Sequence, residues 1–237
     1  MKPKVLIIMP AYNESESIAG AISAVQPLNL DIIVVNDGST DTTSKDARKC
    51  GIPVLELPVN LGVGGAMQTG YRYALSSGYD IAIQFDADGQ HNADYLRELA
   101  AILEEGGVDL AIGSRYAKRN QRGFRSTVMR RIGIRFFAWL IRRFTHERIT
   151  DPTSGFRAAN RKAISLFAQS YPHDYPEPES LVLAHNHGLR IREIPVEMFD
   201  RQGGSSTIKI LDTVFYMVKV TTAIILETMR RKNRIRL

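Results

Sequence analysis

The stretch Ile81–His91 reads IAIQFDADGQH, and the rest of the chain is best understood around it. Its apolar half is typical of a buried strand, which ends abruptly in Asp86 and Asp88. Open α/β sheets bind ligands at the carboxyl ends of their strands, so both carboxylates are expected at a binding edge. Two neighbouring carboxylates repel each other unless a positive group lies between them. A divalent cation that holds a diphosphate fits this pattern, and a solvated turn is the alternative.

The composition is that of an ordinary globular protein. Of the 237 residues, 44% are hydrophobic and 24% are charged, which is enough apolar material for a core without cross-links. The single cysteine, Cys50, excludes an internal disulfide framework and indicates a reducing compartment. The first residues, MKPKVLIIMPAYNE, have a short apolar run without a small-residue cleavage site. We therefore expect no signal peptide and a cytoplasmic location.

Positive charge is concentrated in two segments. Residues 115–148 contain ten arginines, one lysine and a single acid, and residues 230–237 contain five more basic side chains. Such segments suit a solvated surface, phosphorylated substrates, an anionic membrane surface or nucleic acid. Because the chain carries no nucleic-acid-binding motif, we do not expect nucleic acid as a partner.

Strands and helices alternate along the first 115 residues. Continuous apolar runs predict buried strands at residues 5–9, 32–35, 54–57, 81–85 and 110–112. Helical patterns separate these runs, and this order is typical of a mostly parallel α/β sheet with helices on both faces. The loops after strands one, two and four then share one edge, which brings Tyr12, Glu14 and Asp37 close to the acidic pair.

The second half is less regular. It reads as a basic amphipathic helix at 126–144, a turn-rich loop at 151–157, helices near 162–169 and 178–186, and a strand at 189–196. A glycine-rich loop follows at 201–206, and a last helix begins near Thr207. Apolar residues recur on this helix at spacings of three, four and seven: Ile208, Leu211, Phe215, Val218, Ile225 and Met229. Two roles stay open for it, namely packing on the core or a second subunit, and lying at a membrane interface.

Several polar or flexible positions have two interpretations. Asp37 suits hydrogen bonds from a nucleobase, and it also suits an Asx turn or a helix cap. Gly64 suits a close backbone approach to a ligand, or a tight turn between a strand and a helix. Gln90 or His91 suits a further cation ligand, and His91 also suits a cap or loop position.

Three carboxylates compete for the role of catalytic base. Glu177 and Glu179 precede a helix, where a carboxylate also stabilises the helix N-terminus. Asp151 precedes a proline, which favours an extended residue at a turn. Arg201 lies beside two glycines and suits a cation that meets a departing diphosphate, or a simple linker.

Six motifs occur in the order found in family 2 glycosyltransferases with the GT-A fold: PAYNES, VVNDGSTDTT, NLGVGGAMQTGY, QFDADGQH, GSRY and DPTSGFRA. The set most resembles the polyprenyl-phosphate (dolichol-phosphate) mannosyl- and glucosyltransferases and covers roughly residues 4–206. The resemblance implies a Rossmann-like GT-A sheet and a metal-dependent, inverting sugar transfer in cell-envelope glycan synthesis. The implied donor is a nucleotide diphosphate sugar, the acceptor is a polyprenyl phosphate or another lipid-linked group, and the cofactor is Mg²⁺ or Mn²⁺.

The resemblance also implies roles for individual residues. The nucleotide-sugar site takes in Pro10, Ala11, Tyr12, Glu14, Val35, Asp37, Gly64, Asp86, Ala87, Asp88 and Arg115. The metal motif comprises Asp86, Asp88 and Gln90. The candidate catalytic set comprises Asp151, Glu177, Glu179 and Arg201.

The implied organisation is a catalytic domain at 1–206, followed by an amphipathic helix and basic tail at 207–237. Residues 1–115 form the nucleotide-sugar half of that domain, and residues 116–206 form the acceptor half. Two features depart from the lipid-phosphate enzymes: Thr207 stands where a lysine is common, and we expect none of the membrane-spanning tail seen in many of them. Peripheral binding at the inner face of the plasma membrane is still allowed, and a homo-oligomer is a further partner to consider.

Two alternatives to sugar transfer onto a lipid acceptor remain. The first is transfer to a sugar hydroxyl of a cell-surface polysaccharide, which Thr207 and the sequence EPE at 177–179 favour. The second is a nucleotide-sugar-binding assembly subunit without turnover, against which the complete set of acidic motif residues argues.

Overall fold

The computed structural model describes residues 2–117, 128–173, 176–199 and 210–234. Within these ranges the strands are β1 (Val5–Ala11), β2 (Asp31–Asn36), β3 (Val54–Glu56), β4 (Ile81–Gln84), β5 (Leu110–Ser114), β6 (Arg157–Asn160) and β7 (Ile191–Pro195). The helices are α1 (Ile18–Val25), α2 (Thr43–Lys49), α3 (Gly62–Ser76), α4 (Leu96–Glu104), α5 (Val128–Thr145), α6 (Arg161–Gln169), α7 (Pro176–Asn186) and α8 (Ile210–Arg234).

The strands form a single mixed sheet in the order β3-β2-β1-β4-β6-β5-β7. All neighbouring pairs are parallel except those that involve β6, which runs antiparallel to both β4 and β5. Strands β2 and β3 follow β1 on one side of the sheet, and the chain then returns to place β4 on the other side of β1. The strand order therefore reverses between β1 and β4, which makes this position a topological switch point. The crevice outside such a point is where open α/β sheets bind ligands.

Helices cover both faces of this sheet, as the sequence predicts. One core contains side chains from α3 and from α5 to α8, including Met67, Phe137 and Leu181. The opposite core contains side chains from α1, α2 and α4, including Ile22 and Leu99. Because both faces are buried, the central strands β1, β2, β4 and β5 are mostly apolar rather than alternating.

Strand β6 corrects the prediction of a turn-rich loop that extends to residue 157. Its sequence, RAAN, contains two alanines and no β-branched residue, so neither propensity nor periodicity marks it as a strand. Ala158 pairs with both Ile83 of β4 and Ala111 of β5. Because β6 is antiparallel to its neighbours, the loop that precedes it lies at the same edge as their carboxyl ends.

Helix α3 begins at Gly62, four residues before the predicted start at Ala66, so the glycines form its first turn rather than a separate loop. Gly62 itself has a φ of +79°, a left-handed conformation that favours glycine.

Three of the apolar positions predicted on α8, namely Val218, Ile225 and Met229, are exposed rather than buried. Val220 and Ile224 are fully buried in the core, whereas Val218 and Met229 are 61% and 57% exposed. The helix packs against α7 and α5. It therefore carries apolar side chains on two sides, and its start near Thr207 lies outside the described residues.

None of the helices in the described ranges has both the length and the apolar character that crossing a bilayer demands.

Candidate active site

Several of the predicted site residues lie on loops that meet at one edge of the sheet. These loops include those that follow β1, β2, β4 and β5 and the one that precedes β6. The predicted gathering of the polar loops after β1, β2 and β4 agrees with this topology. The loop at 151–156 joins them because of the antiparallel strand that the sequence did not reveal.

Asp37 lies directly after β2 and is buried. Its Oδ1 accepts a hydrogen bond from the backbone N–H of Leu61 at 2.7 Å, just before the first turn of α3. Burial raises the pKa of Asp37, although the hydrogen bonds from Leu61 and Gly62 oppose this effect. The carboxylate thus already supports the N-terminus of α3, which is one of the two predicted roles.

The β1 side of the edge contains the PAYNES motif. Pro10 and Ala11 belong to β1, which is two residues longer than predicted, and Pro10 is paired with Val35 of β2. Val35 and Ala11 are buried. Tyr12 is exposed, whereas Oε2 of Glu14 accepts a hydrogen bond from Ser17 at 2.7 Å.

The acidic loop after β4 is held by several hydrogen bonds. Oδ1 of Asp86 accepts a hydrogen bond from the side-chain amide of Gln84 at 2.9 Å, and Oδ1 of Asp88 accepts one from the backbone N–H of Gln90 at 3.0 Å. Ala87 is buried between them, and both carboxylates remain partly exposed. Within the described residues no cluster of three or more His, Cys, Asp or Glu side chains suits a metal ion. A pair of carboxylates nevertheless fits Mg²⁺, which is usually bound by one or two carboxylates plus substrate phosphates.

His91 is buried beneath this loop rather than pointing towards solvent. Its Nδ1 accepts the backbone N–H of Asp86 at 3.0 Å, and its ring stacks on Phe156 with centroids 4.6 Å apart. Burial lowers the pKa of His91 to about 4, so the ring is neutral at neutral pH and its proton is on Nε2. The loop role predicted for His91 is therefore the one that the structure supports.

Arg115 and Asp151 form a buried ion pair. The guanidinium of Arg115 donates from Nε to Oδ2 at 2.7 Å and from Nη2 to Oδ1 at 2.8 Å, and its backbone N–H also donates to Oδ2. Burial alone lowers the pKa of Arg115, but the hydrogen bonds and charge of Asp151 raise it above its usual value. Asp151 is thus committed to Arg115, which argues against a role as a base.

Arg157 is a buried cation that the sequence analysis did not single out. It donates hydrogen bonds to the carbonyls of Ser154 and Pro152 and to the hydroxyl of Ser180, at 2.7, 2.9 and 2.7 Å respectively. These bonds tie the loop before β6 to helix α7. A charged residue inside the run GFRAA is the signal that indicates burial, since an arginine among apolar residues needs internal partners.

The two glutamates at the start of α7 differ in their surroundings. Burial raises the pKa of Glu177, and the positive charge of Arg157 opposes this effect. Asp86 and Arg115 also act on Glu177 electrostatically, which associates it with the acidic loop. Glu179 instead lines a cavity of about 470 Å³ together with Gln68, His173 and Glu227.

Gly64 and Arg201 are the other two predicted site residues. Gly64 packs against another loop of the protein, because a Cβ at this position would lie 2.1 and 2.3 Å from the carbonyl oxygens of Pro172 and His173. Its close backbone approach is therefore to a neighbouring loop, and this packing explains the glycine without a ligand. Arg201 lies outside the described residues.

Comparisons with known proteins agree with this geometry. Residues 6–167 match the family model described as glycosyl transferase family 2. The polyprenol monophosphomannose synthase of Mycolicibacterium smegmatis is 31% identical over 216 residues, covering 86% of this chain and 80% of that protein. The UDP-N-acetylglucosamine–dolichyl-phosphate N-acetylglucosaminyltransferase of Methanococcus voltae is 29% identical, covering 81% of this chain and 84% of that protein.

Among solved structures, glucosyl-3-phosphoglycerate synthase from Mycobacterium tuberculosis has a similar fold. In its complex with Mn²⁺, UDP and phosphoglyceric acid it aligns with a TM-score of 0.73 at 22% identity, covering 96% of this chain and 78% of that chain. The family match spans more than half of the chain, and the mostly parallel sheet agrees with a GT-A enzyme. The chain therefore belongs to glycosyl transferase family 2 and is a glycosyltransferase with the GT-A fold.

Proposed function

We propose that this glycosyltransferase transfers a sugar, with inversion and with the help of Mg²⁺ or Mn²⁺, from a nucleotide diphosphate sugar to a polyprenyl phosphate or another lipid-linked acceptor in cell-envelope glycan synthesis. The observation that carries the proposal is the position of Asp86 and Asp88 at the switch point of the sheet. The curated relatives that act on dolichyl or polyprenol phosphates, matched over most of both chains, support the acceptor class.

The donor half of the site is proposed to occupy residues 1–115. The nucleoside is held near Tyr12, Glu14 and Asp37, with backbone contacts from Pro10, Ala11, Val35 and Ala87. The exposed ring of Tyr12 suits stacking, and the carboxylate of Asp37 suits hydrogen bonds from a base.

The diphosphate is proposed to lie over the acidic loop. Asp86, Asp88 and Gln90 would hold the divalent cation, which when bound neutralises the charge of the leaving diphosphate. The complex of the Mycobacterium tuberculosis neighbour contains Mn²⁺ together with UDP. Arg115 supplies a fixed positive charge to the same edge, and Asp151 holds its guanidinium in place.

The acceptor is proposed to bind in the half formed by residues 116–206. A phosphate acceptor is already ionised at neutral pH, so its attack needs little help from a base, whereas a hydroxyl needs one. Glu177 is the carboxylate that we assign to that role, because Asp151 is bound to Arg115 and Glu179 lines a separate cavity. The dependence of the rate on Glu177 therefore distinguishes the two acceptor classes.

The membrane-facing surface is proposed to include α5 and the C-terminal part at 207–237. Ile132 and Trp139 of α5 are 54% and 60% exposed. Trp139 lines an open cavity with Arg142, Arg143 and His146, so an aromatic side chain lies among cations. This combination suits an anionic lipid surface, where tryptophan sits at the headgroups and arginine contacts phosphates. We place the enzyme at the inner face of the plasma membrane.

The decisive experiment is an assay of the purified chain with Mn²⁺, a panel of nucleotide sugars and two acceptors, undecaprenyl phosphate and a lipid-linked saccharide. We expect transfer to the phosphate, and loss of that transfer in Asp88→Ala. Glu177→Gln should retain most of the rate with the phosphate, because no strong base is required.

One outcome would replace the phosphate acceptor by a sugar hydroxyl, and two others would contradict the proposal as a whole. Transfer only to the saccharide, with a loss of about 10²- to 10⁴-fold in Glu177→Gln, would identify a hydroxyl acceptor and a catalytic base. Transfer that Asp88→Ala leaves intact would remove the metal from the mechanism. Nucleotide-sugar binding without any turnover would identify the assembly subunit considered above.

A further inference from the structure

Asp86 is held on both sides by side chains outside the predicted metal motif. The amide of Gln84 donates to Oδ1 of Asp86 at 2.9 Å. Nδ1 of His91 accepts the backbone N–H of Asp86 at 3.0 Å, and Nε2 of the same ring lies 3.5 Å from Oδ2. The carboxylate is therefore flanked by an amide and an imidazole while part of it still faces solvent.

Both flanking side chains are themselves fixed by the core. Gln84 is fully buried on β4, where it pairs in register with Arg157 of β6. The ring of His91 stacks on Phe156 with an interplanar angle of 16°. Side chains that are locked by packing cannot follow Asp86 if it rotates, so they restrict it to one orientation.

The loop before β6 closes the remaining side. A Cβ at Gly155 would lie 2.7 Å from Nε2 of Gln84 and 3.0 Å from Oδ2 of Asp86. Only a glycine allows the backbone to approach the Gln84–Asp86 pair this closely. The acidic loop is anchored at its far end as well, because the backbone N–H of Phe199 donates to the carbonyl of Gln90 at 2.9 Å.

We propose that Gln84 and His91 are positioning residues that hold the carboxylate of Asp86 in the orientation that a divalent cation and diphosphate require. Groups that hydrogen-bond to metal-ligating side chains orient them, and removing such a group typically weakens metal affinity about 10- to 100-fold. The inference rests on the proposed function, since it assumes metal-dependent binding of a nucleotide diphosphate sugar. Neither residue touches the reacting atoms.

The test uses the whole chain with UDP or GDP, whichever the wild type binds, and follows Mn²⁺ by the paramagnetic resonance signal of the free ion. Gln84→Leu and His91→Phe are expected to weaken nucleotide-dependent Mn²⁺ binding about 10- to 100-fold. His91→Asn places a side-chain oxygen where Nδ1 accepts the hydrogen bond, so it should keep most of the affinity even though the stacked ring is lost.

Asn160→Ala is the matched control for a loss of buried hydrogen bonds. Asn160 donates to Oδ1 of Asp109 at 3.0 Å and caps α6, at the opposite edge of the sheet. This variant should lower the melting temperature and leave Mn²⁺ binding unchanged. Melting temperatures of all variants separate a loss of fold from a loss of metal binding.

Two results would overturn the inference. If Gln84→Leu and His91→Phe are folded and bind Mn²⁺ as tightly as the wild type, Asp86 needs no positioning. If either fails to fold, Gln84→Asn replaces it, because its shorter amide keeps a polar group on β4 but falls short of Asp86. Wild-type Mn²⁺ affinity in this variant would overturn the inference equally. A wild-type chain that binds nucleotide but no Mn²⁺ contradicts the proposed function itself, so the two failures are distinguishable.

Discussion

At the scale of single residues, Asp151 holds the positively charged guanidinium of Arg115 in a fixed, buried position. A buried guanidinium is costly unless hydrogen bonds and an opposite charge compensate it. Asp151 provides both through two bonds to the guanidinium and one to the backbone. The backbone N–H of Asp151 is in turn bound by Glu193 at 2.8 Å, which fixes the carboxylate from behind.

A double-mutant cycle tests this assignment. Asp151→Ala should destabilise the fold by about 3–5 kcal/mol, because it leaves the charge of Arg115 buried without a partner. Arg115→Ala in the same background should add little further loss, so the two substitutions couple by up to about 3 kcal/mol. Urea denaturation of the wild type, both single variants and the double variant measures the coupling.

The exposed pair between Arg48 and Glu56 provides the control. Its N–O distance is 2.9 Å, yet its side chains are 53% and 46% exposed. Exposed pairs contribute less than about 1 kcal/mol, so the same cycle at this pair should show weak coupling. Additive losses at Arg115 and Asp151 would contradict the ion-pair role and reopen Asp151 as a base.

Residues of the site were predictable from sequence where a motif or a strand end marks them. Asp86 and Asp88 follow an apolar run, and Asp37 follows another, so topology alone places them together. Gln84 and Arg157 lie within the motifs QFDADGQH and DPTSGFRA, but these motifs do not show which groups the two buried side chains bind. Their roles depend on the register between β4 and β6, and a single sequence does not encode that register visibly.

At the scale of elements, helix α3 connects the core to the site. Its first turn packs against the backbone at residues 172–173, and the N–H of Leu61 just before it binds Asp37. Any shift of this helix therefore reaches the proposed nucleoside pocket. A Cβ at Gly64 would meet backbone atoms of residues 172 and 173, so we expect this glycine to affect binding indirectly.

Gly64→Ala should destabilise the protein by about 1–3 kcal/mol, as overpacking does elsewhere. The added Cβ would meet two carbonyl oxygens at 2.1 and 2.3 Å, and backbone oxygens cannot rotate away as a flexible side chain does. The N-terminus of α3 should move with the helix, so binding of the nucleoside diphosphate should weaken as well. Chemical denaturation and titration calorimetry measure the two effects.

Gly133→Ala in α5 is the control, since a Cβ there meets nothing within 4 Å. Replacing a glycine inside a helix by alanine in open space should stabilise it by up to about 1 kcal/mol. Equal stability of the two variants would show that the packing of α3 tolerates a side chain at Gly64.

Elements with strong periodicity or long apolar runs were predicted correctly, and the failures have physical causes. Strand β6 is short and alanine-rich, so its identity comes from pairing with β4 and β5 rather than from propensity. Helix α8 is apolar on more than one side, so the sequence alone did not show which side packs on the core. Val220 and Ile224 are buried because their side of the helix contacts the rest of the protein, and their spacing in the sequence does not show this.

At the scale of the whole molecule, apolar and basic side chains are exposed together on one layer. The chain carries a net charge of +6, and α5 exposes Arg131, Arg135, Arg142 and Arg143 in this layer. Helices α5 and α8 pack against each other in this layer, and each exposes apolar side chains, including Trp139 and Val218. An anionic bilayer satisfies both features at once, because it takes up apolar side chains and attracts basic ones.

Trp139 is the single tryptophan of the chain, so its fluorescence reports on this surface alone. Vesicles that contain phosphatidylglycerol should shift its emission to shorter wavelength at low salt, and about 0.5 M NaCl should reverse the shift by screening the charges. Arg142→Glu with Arg143→Glu should weaken vesicle binding at least about 10-fold, since each basic residue near the surface contributes about 1 kcal/mol. Arg48→Glu with Lys49→Glu changes the net charge equally on α2, on the opposite face of the sheet, and should bind nearly as well as the wild type. An unshifted emission at low salt, or equal losses in the two double variants, would show that this layer does not face the membrane.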